Sequence, residues 1–155
     1  MGNSIIIIYS YHTMSTRKIA DAIANKISST VIDVKNVDLE INLDNYGLIG
    51  FGAGIAGGKH YKQLLEYVEN LPNVVNKNAF IFSTSGMFKP NKMLKDHKVL
   101  RELLQKKGFT IKNEFSCHGC YEFKIFKWTL KFNKGRPNHE DLNNAELFAE
   151  KLALI

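Results

Sequence analysis

The chain has 155 residues, 45% of them hydrophobic and 23% charged, with a formal net charge of +6. A chain of that length buries most of its apolar surface in one core without disulfide or metal staples, and the composition excludes a disordered chain. No apolar run reaches the ~20 residues of a bilayer span, and residues 5–8 are too few for the core of a secretory signal, which predicts a cytoplasmic protein with no transmembrane segment.

Residues 4–10 (SIIIIYS) are apolar without alternation, as in a central parallel strand covered on both faces. Ile19, Ala20, Ile23, Ala24 and Ile27 then recur at helical spacing, with Ser15 or Thr16 as the cap. Residues 30–34 give a short second strand, and residues 44–54 (DNYGLIGFGAG) end a third strand in a glycine-rich loop. Residues 61–71 place Leu64, Leu65, Val68 and Leu71 on one helix face, stopped by Pro72. Residues 79–83 (AFIFS) are a fourth buried strand, opening into a polar loop over 84–90. A helix over 93–107 follows, with Val99, Leu100, Leu103 and Leu104 inward and Gly108 as its stop. Residues 110–116 give the fifth strand, and Asn138 caps a last helix behind Pro137.

Before that helix lies a long segment, 117–137. Lys124, Lys127, Lys131, Lys134 and Arg136 crowd into it among Phe126, Trp128 and Phe132, with no acidic residue from Phe123 to Arg136. Phe126, Trp128, Leu130 and Phe132 alternate with Lys127, Thr129 and Lys131 as in a strand. The lysines at 124, 127, 131 and 134 equally fit one helix face, so periodicity leaves both readings open. A solvated lysine face over a satellite core is favoured over a nucleic-acid surface.

Five strands alternating with helices make an α/β doubly wound parallel sheet in a single domain. Such a sheet binds ligands beyond the carboxyl ends of its strands, where the strand order reverses. The loop after the first strand, Ser10-Tyr11-His12-Thr13-Met14-Ser15-Thr16, offers hydroxyls and backbone N–H groups at a positive helix end, a pocket for a phosphate dianion to which His12 can also donate. It lacks the Walker spacing and GxGxxG, which argues against a nucleoside triphosphate or a dinucleotide. The plainer reading is a polar turn with helix caps.

Cys117-His118-Gly119-Cys120 holds the only two cysteines. A C-x-x-C pair serves as a dithiol or as two metal ligands, but a redox pair sits on a helix N-terminus and a structural zinc site needs a second ligand pair. Neither context is visible, and His12, His60, His97, His118 and His139 show no ligand spacing, so no metal site is expected.

Three stretches together resemble the flavodoxin family over nearly the whole sequence. They are the first loop running into Arg17-Lys18-Ile19-Ala20, the stretch Tyr46-Gly47-Leu48-Ile49-Gly50-Phe51-Gly52-Ala53-Gly54-Ile55, and Lys134-Gly135-Arg136-Pro137-Asn138 ahead of the last helix. The T/S-x-T-G-x-T phosphate loop of that family aligns with residues 10–16, Met14 standing near the usual glycine. The resemblance implies a flavodoxin-like five-stranded parallel sheet in the order 2-1-3-4-5, with helices on both faces, that binds FMN for electron transfer. It implies a phosphate site at Ser10, His12, Thr13, Met14, Ser15 and Thr16. The flavin ring is then expected between Ala53, Gly54, Ile55, Ala56 and Gly57 on one side and Thr84, Ser85, Gly86, Met87 and Phe88 on the other, with Gly119 alongside.

Within that picture the carbonyl of Gly57 is the peptide group expected to flip toward the flavin, and the stacking aromatic comes from Phe88, Tyr121 or Trp128. The partners expected are redox proteins with acidic surfaces, not nucleic acid. The positive net charge predicts a less negative potential for the fully reduced flavin than acidic flavodoxins have. The alternatives are an FMN-dependent NAD(P)H:quinone-type oxidoreductase and a non-redox binding module with a decayed flavin site.

Overall fold

Four consecutive isoleucines offer no polar face to water, and a computed structural model of the chain encloses all four at the centre of a sheet. The structure describes residues 3–11, 13–36 and 41–155. Strand β1 (Ser4–Tyr9) leads into α1 (Ser15–Ile27) and β2 (Thr30–Asp33). Strand β3 (Leu48–Ala56) turns back through a two-residue β4 (Lys59–His60) into α2 (Lys62–Asn70). Strand β5 (Lys77–Ser85) is followed by α3 (Met93–Asp96), α4 (Lys98–Lys106) and β6 (Phe109–His118). The chain ends with a hairpin of β7 (Tyr121–Ile125) and β8 (Trp128–Phe132), then α5 (His139–Leu152).

The long strands pair in parallel in the order β2-β1-β3-β5-β6, the expected 2-1-3-4-5 once β4, antiparallel to the end of β3, is set aside. Alternation along β1 sends Ile6 and Ile8 to one face and Ile5 and Ile7 to the other. The first pair packs with Ile19, Ile23, Phe80, Phe82 and Phe148, beneath α1 and α5. The second packs with Leu64, Val68, Ile81, Leu100 and Leu104, beneath α2 and α4. No helix among the described residues is long and apolar enough to cross a membrane.

Two boundaries depart from the sequence expectation, each for a packing reason, and one open reading is decided. Gly50, Gly52 and Gly54 do not open a loop but lie inside β3, because the rings of Phe80 and Phe82 on the neighbouring strand occupy the space that side chains at Gly50 and Gly52 would need, and Tyr61 does so at Gly54. A Cβ on Gly50 would stand 2.3 Å from Phe80 Cζ, and one on Gly52 2.2 Å from Phe82 Cζ. The turn comes only at Gly57 and Gly58, whose φ values of 60° and 75° suit glycine. The expected helix over 93–107 is interrupted at His97, whose imidazole is fully buried and bonded on both sides to the sheet. The basic aromatic segment forms the antiparallel hairpin β7–β8, which resolves its two open periodicities in favour of the strand. Asn138 caps α5 as expected, in a reciprocal capping box with Asp141 that Arg136 clamps through two bonds of 2.5 and 2.6 Å.

Candidate functional site

The loop from β1 to α1 is held from below. The N–H of the buried Ser10 donates to Asp33 Oδ2 at 3.2 Å, its carbonyl accepts from the Lys35 ammonium, and its Oγ accepts from the N–H of Arg17 at 3.3 Å. Ser10 therefore satisfies one of the free N–H groups at the start of α1. Met14 precedes the helix in the left-handed region, with φ 57° and ψ 21° and no side-chain cap bond. Ser15 and Thr16 are the first helical residues rather than caps, and their hydroxyls point sideways into neighbouring loops.

Those hydroxyls tie three strand ends together. Thr16 Oγ1 lies 2.9 Å from Thr84 Oγ1 at the end of β5, and Ser15 Oγ accepts from the N–H of Cys120 at 3.1 Å. Thr13 Oγ1 is 2.9 Å from Ser15 Oγ and donates to the carbonyl of Cys120 at 3.1 Å. The Asn133 amide donates to the carbonyls of Gly86 and Gly119, at 2.6 and 3.4 Å, so the far end of the hairpin is fastened to the same place.

Above these bonds lies an open cleft at the strand ends, the place where doubly wound sheets bind their ligands. Thr13, Ser15 and Thr16 line its end at α1, and Gly54 and Ile55 of β3 line one side with Tyr61. Thr84, Ser85 and Gly86 form the floor, Gly119 and Cys120 the next strand end, and Tyr11, Tyr121 and Glu122 the rim. Tyr61 packs against Gly54, where a Cβ would stand 2.5 Å from its ring, and its own N–H donates to the carbonyl of Gly54 at 3.0 Å. A Cβ on Gly86 would meet Tyr121 Cβ at 2.7 Å and one on Gly119 would meet Thr84 Cβ at 3.0 Å, so glycine at both points lets backbone form the cavity wall.

The cavity is polar at the helix end and aromatic at the other. The helix start and its hydroxyls favour an anion without a cationic side chain. Among the described lining residues Glu122 alone carries a formal charge, and Lys131 Nζ stands 2.9 Å from its Oε1. Burial, with the Asp141 carboxylate second, pushes the Cys117 thiol up to about 12, so at neutral pH it stays protonated and is a poor nucleophile. No group of three His, Cys, Asp or Glu side chains poised for a metal ion occurs among the described residues.

A family model described as a flavodoxin domain matches residues 6–120, well over half of the chain. The chain belongs to the flavodoxin family. An uncharacterized protein of Methanocaldococcus jannaschii is 39% identical over 149 residues, covering 96% of this chain and 97% of that protein. Oxidised flavodoxin 1 from Bacillus cereus superposes with a TM-score of 0.71 at 19% identity, 97% of each chain being covered. Rubredoxin oxygen:oxidoreductase from Desulfovibrio gigas gives a TM-score of 0.64 at 18% identity, aligning 96% of this chain with 34% of that one.

In this flavodoxin the cavity brings together Thr13, Ser15, Thr16, Gly54, Ile55, Thr84, Ser85, Gly86 and Gly119 of the residues singled out from the sequence. His12 lies outside the described residues. Ser10 lies beneath the loop and Met14 beside it, while Ala53 is buried within β3. Ala56 and Gly57 stand at the tip of the β3–β4 turn. Met87 is 78% exposed, and Phe88 turns away to pack edge-on against His118 at 5.1 Å. Of the three aromatics offered for stacking, Tyr121 reaches the cavity.

Sequence reading missed Tyr61, which looked like a helix start, and Tyr11 and Glu122. The signal for Tyr61 was Gly54 itself, a strand glycine that needed a ring above it. It also missed a buried cluster beneath the turn, where His60 and His97, distant in sequence, approach to 4.8 Å between ring centroids. His60 Nε2 bonds the carbonyl of Phe82 at 3.0 Å, and His97 bridges Ser83 Oγ and Glu114 Oε2, both at 2.8 Å. Burial, aided by His97, lowers His60 to about 3. Burial alone would raise Glu114, but hydrogen bonds from Arg101 and His97 hold it down to about 2.

Proposed function

We propose that this flavodoxin, acting as a single domain, binds FMN in the cavity at the strand ends and carries electrons between protein partners. The observation that carries the reading is one continuous cavity with a hydroxyl-lined helix start at one end and two tyrosines on backbone-walled sides at the other. The first end suits a phosphate dianion and the second a flat, mostly apolar ring. Loops from four strand ends are already cross-bonded around it, so little ordering is left for binding to bring about.

Bound FMN supplies the capacity to take and return electrons. The residues of the chain do the rest. Thr13, Ser15 and Thr16 would hold the phosphate with the first N–H groups of α1, using hydroxyls that otherwise bond Thr84 and Cys120. The backbone of Thr84, Ser85 and Gly86 would lie along the ring edge where negative charge gathers on reduction, held in place by the bond from the Gly119 N–H to the Ser85 carbonyl at 3.0 Å. Tyr61 and Tyr121 would exclude water from its faces, and the Gly57–Gly58 turn, whose positive φ values suit glycine, would be free to adjust to the state of the ring.

Titration of the purified protein with FMN, FAD and riboflavin tests this directly. FMN fluorescence is expected to quench with a dissociation constant of about 1 μM or below, with riboflavin bound far more weakly because it lacks the phosphate. Absence of FMN binding at micromolar concentration overturns the reading. Ser15→Ala, which removes a phosphate-end hydroxyl that also anchors Cys120, is expected to weaken FMN about tenfold.

A further inference from the structure

The hairpin β7–β8 is two-sided. Its register sets Tyr121 opposite Phe132, Phe123 opposite Leu130 and Ile125 opposite Trp128. Opposed residues of an antiparallel pair share a face, so six apolar side chains lie on one side of the ribbon. None is buried, and Trp128 is 74% exposed. Phe126, in the turn, is 92% exposed. Taking about half of the ~150–250 Å² that each aromatic ring offers, the face presents on the order of 600 Å², at the top of what a monomer ordinarily leaves open. The face also begins at the cavity: Tyr121 lines it, and the rings of Phe123 and Phe132 follow at 6.5 and 6.4 Å from that of Tyr121.

We propose that this face is the docking surface for an acidic electron-transfer protein that presents an apolar patch rimmed by carboxylates. The proposal rests on the electron-carrier reading for the partner's chemistry. Charge selects the sign. Lys124, Lys127 and Lys134 stand on the other side of the ribbon, in its turn and beyond its end, with no ion pair among the described residues. The two strands are only ~5 Å apart, so long lysine stems carry their ammonium groups to the rim of the apolar face. Area selects the lifetime. About 600 Å² falls short of the ~800 Å² per partner of a standing complex and matches the small interfaces of transient redox encounters. A second copy of this chain would bring another +6 charge against the first. Position selects the role, because whatever covers this face also lies across the mouth of the cavity.

Trp128 is the only tryptophan of the chain, so its emission reports directly on the face. The probe is a small acidic plant-type [2Fe–2S] ferredoxin, added to the FMN-loaded protein at about 20 mM and about 300 mM salt, where screening differs severalfold. Saturable quenching or a blue shift is expected, with affinity falling about tenfold at the higher salt. Ile125→Ser with Leu130→Ser, which keeps the reporter, is expected to weaken binding about tenfold at both salts. Should that pair disturb the hairpin, Lys127→Glu alters only an exposed charge, and is expected to weaken binding about threefold at low salt and hardly at all at high salt.

Three results overturn the proposal. The first is no salt-dependent Trp128 response to the ferredoxin. The second is a response only to phosphatidylcholine vesicles containing about a third phosphatidylserine, which assigns the face to a membrane. The third is a sedimentation velocity dimer abolished by Trp128→Ser, which assigns it to a second copy. Because Trp128 reports without flavin, ferredoxin binding by protein that fails to take up FMN sinks the cofactor reading alone, and FMN uptake without ferredoxin binding sinks the docking surface alone.

Discussion

Met14 concentrates the tension between the family pattern and this chain. It occupies the left-handed conformation that a glycine adopts freely, and a side chain there costs about 1–2 kcal/mol. Met14→Gly removes that cost but adds freedom to the unfolded chain, so a net gain of up to about 1 kcal/mol is expected in urea unfolding, with none from Met14→Ala. Glu122 is the charged residue among the described cavity lining, and with FMN bound as proposed it would oppose negative charge on a reduced ring. With one charge ~8 Å away at an effective dielectric near 40, Glu122→Gln is expected to raise the potential of the second reduction by roughly 45 mV in potentiometric titration. No change would place the carboxylate outside the field of the ring. The residue types at the phosphate end were legible because hydroxyls before a helix have a physical meaning wherever they occur. Tyr61 was not, since its role depends on a glycine of another element lying under its ring.

At the scale of elements, β3 explains how a run that reads as a glycine-rich loop becomes a central strand. Its glycines complement Phe80 and Phe82 of β5, fully buried rings with nowhere to move. Gly52→Ala is therefore expected to destabilise the protein by about 2 kcal/mol despite the usual gain from replacing glycine, with denaturant unfolding as the measure. The buried histidine cluster between the β3–β4 turn, β5 and β6 sets the response to acid. His60 is protonated near pH 6.5 in the unfolded chain but only at about 3 when folded. Its contribution is complete above pH 6.5 and is lost as pH falls toward 3, at up to about 1.4 kcal/mol per pH unit. Glu114, held at about 2, adds loss of the same sign below the ordinary carboxylate range. Unfolding free energies measured from pH 7 to 4 should show this slope, and His60→Gln should flatten it above pH 5.

For the whole molecule, the +6 charge acts as a diffuse field rather than through a cation in the site. For a sphere of about 19 Å radius that field would favour the anionic reduced form of a bound flavin, and raising the salt from about 10 mM to about 500 mM should then lower its potential by roughly 25 mV. A potential independent of salt would mean that local groups alone set it.

The sequence by itself determined the alternation of strands and helices, the central place of the isoleucine strand, the cap of α5 and the loop that begins α1. These follow from periodicity and capping, which act between residues close along the chain. Only the tertiary structure decided that Gly50, Gly52 and Gly54 belong to a strand, that His97 breaks a helix, that Tyr61 walls the cavity, and that the lysine-rich segment pairs as a hairpin with one apolar face. Each of these depends on a partner brought near by folding: a phenylalanine ring on the next strand, a glutamate on another, a glycine beneath a tyrosine, a second strand in register. The alternation over 126–132 fitted a strand but named no partner, and the other partners leave no periodic trace, because the distance that matters to them is through space.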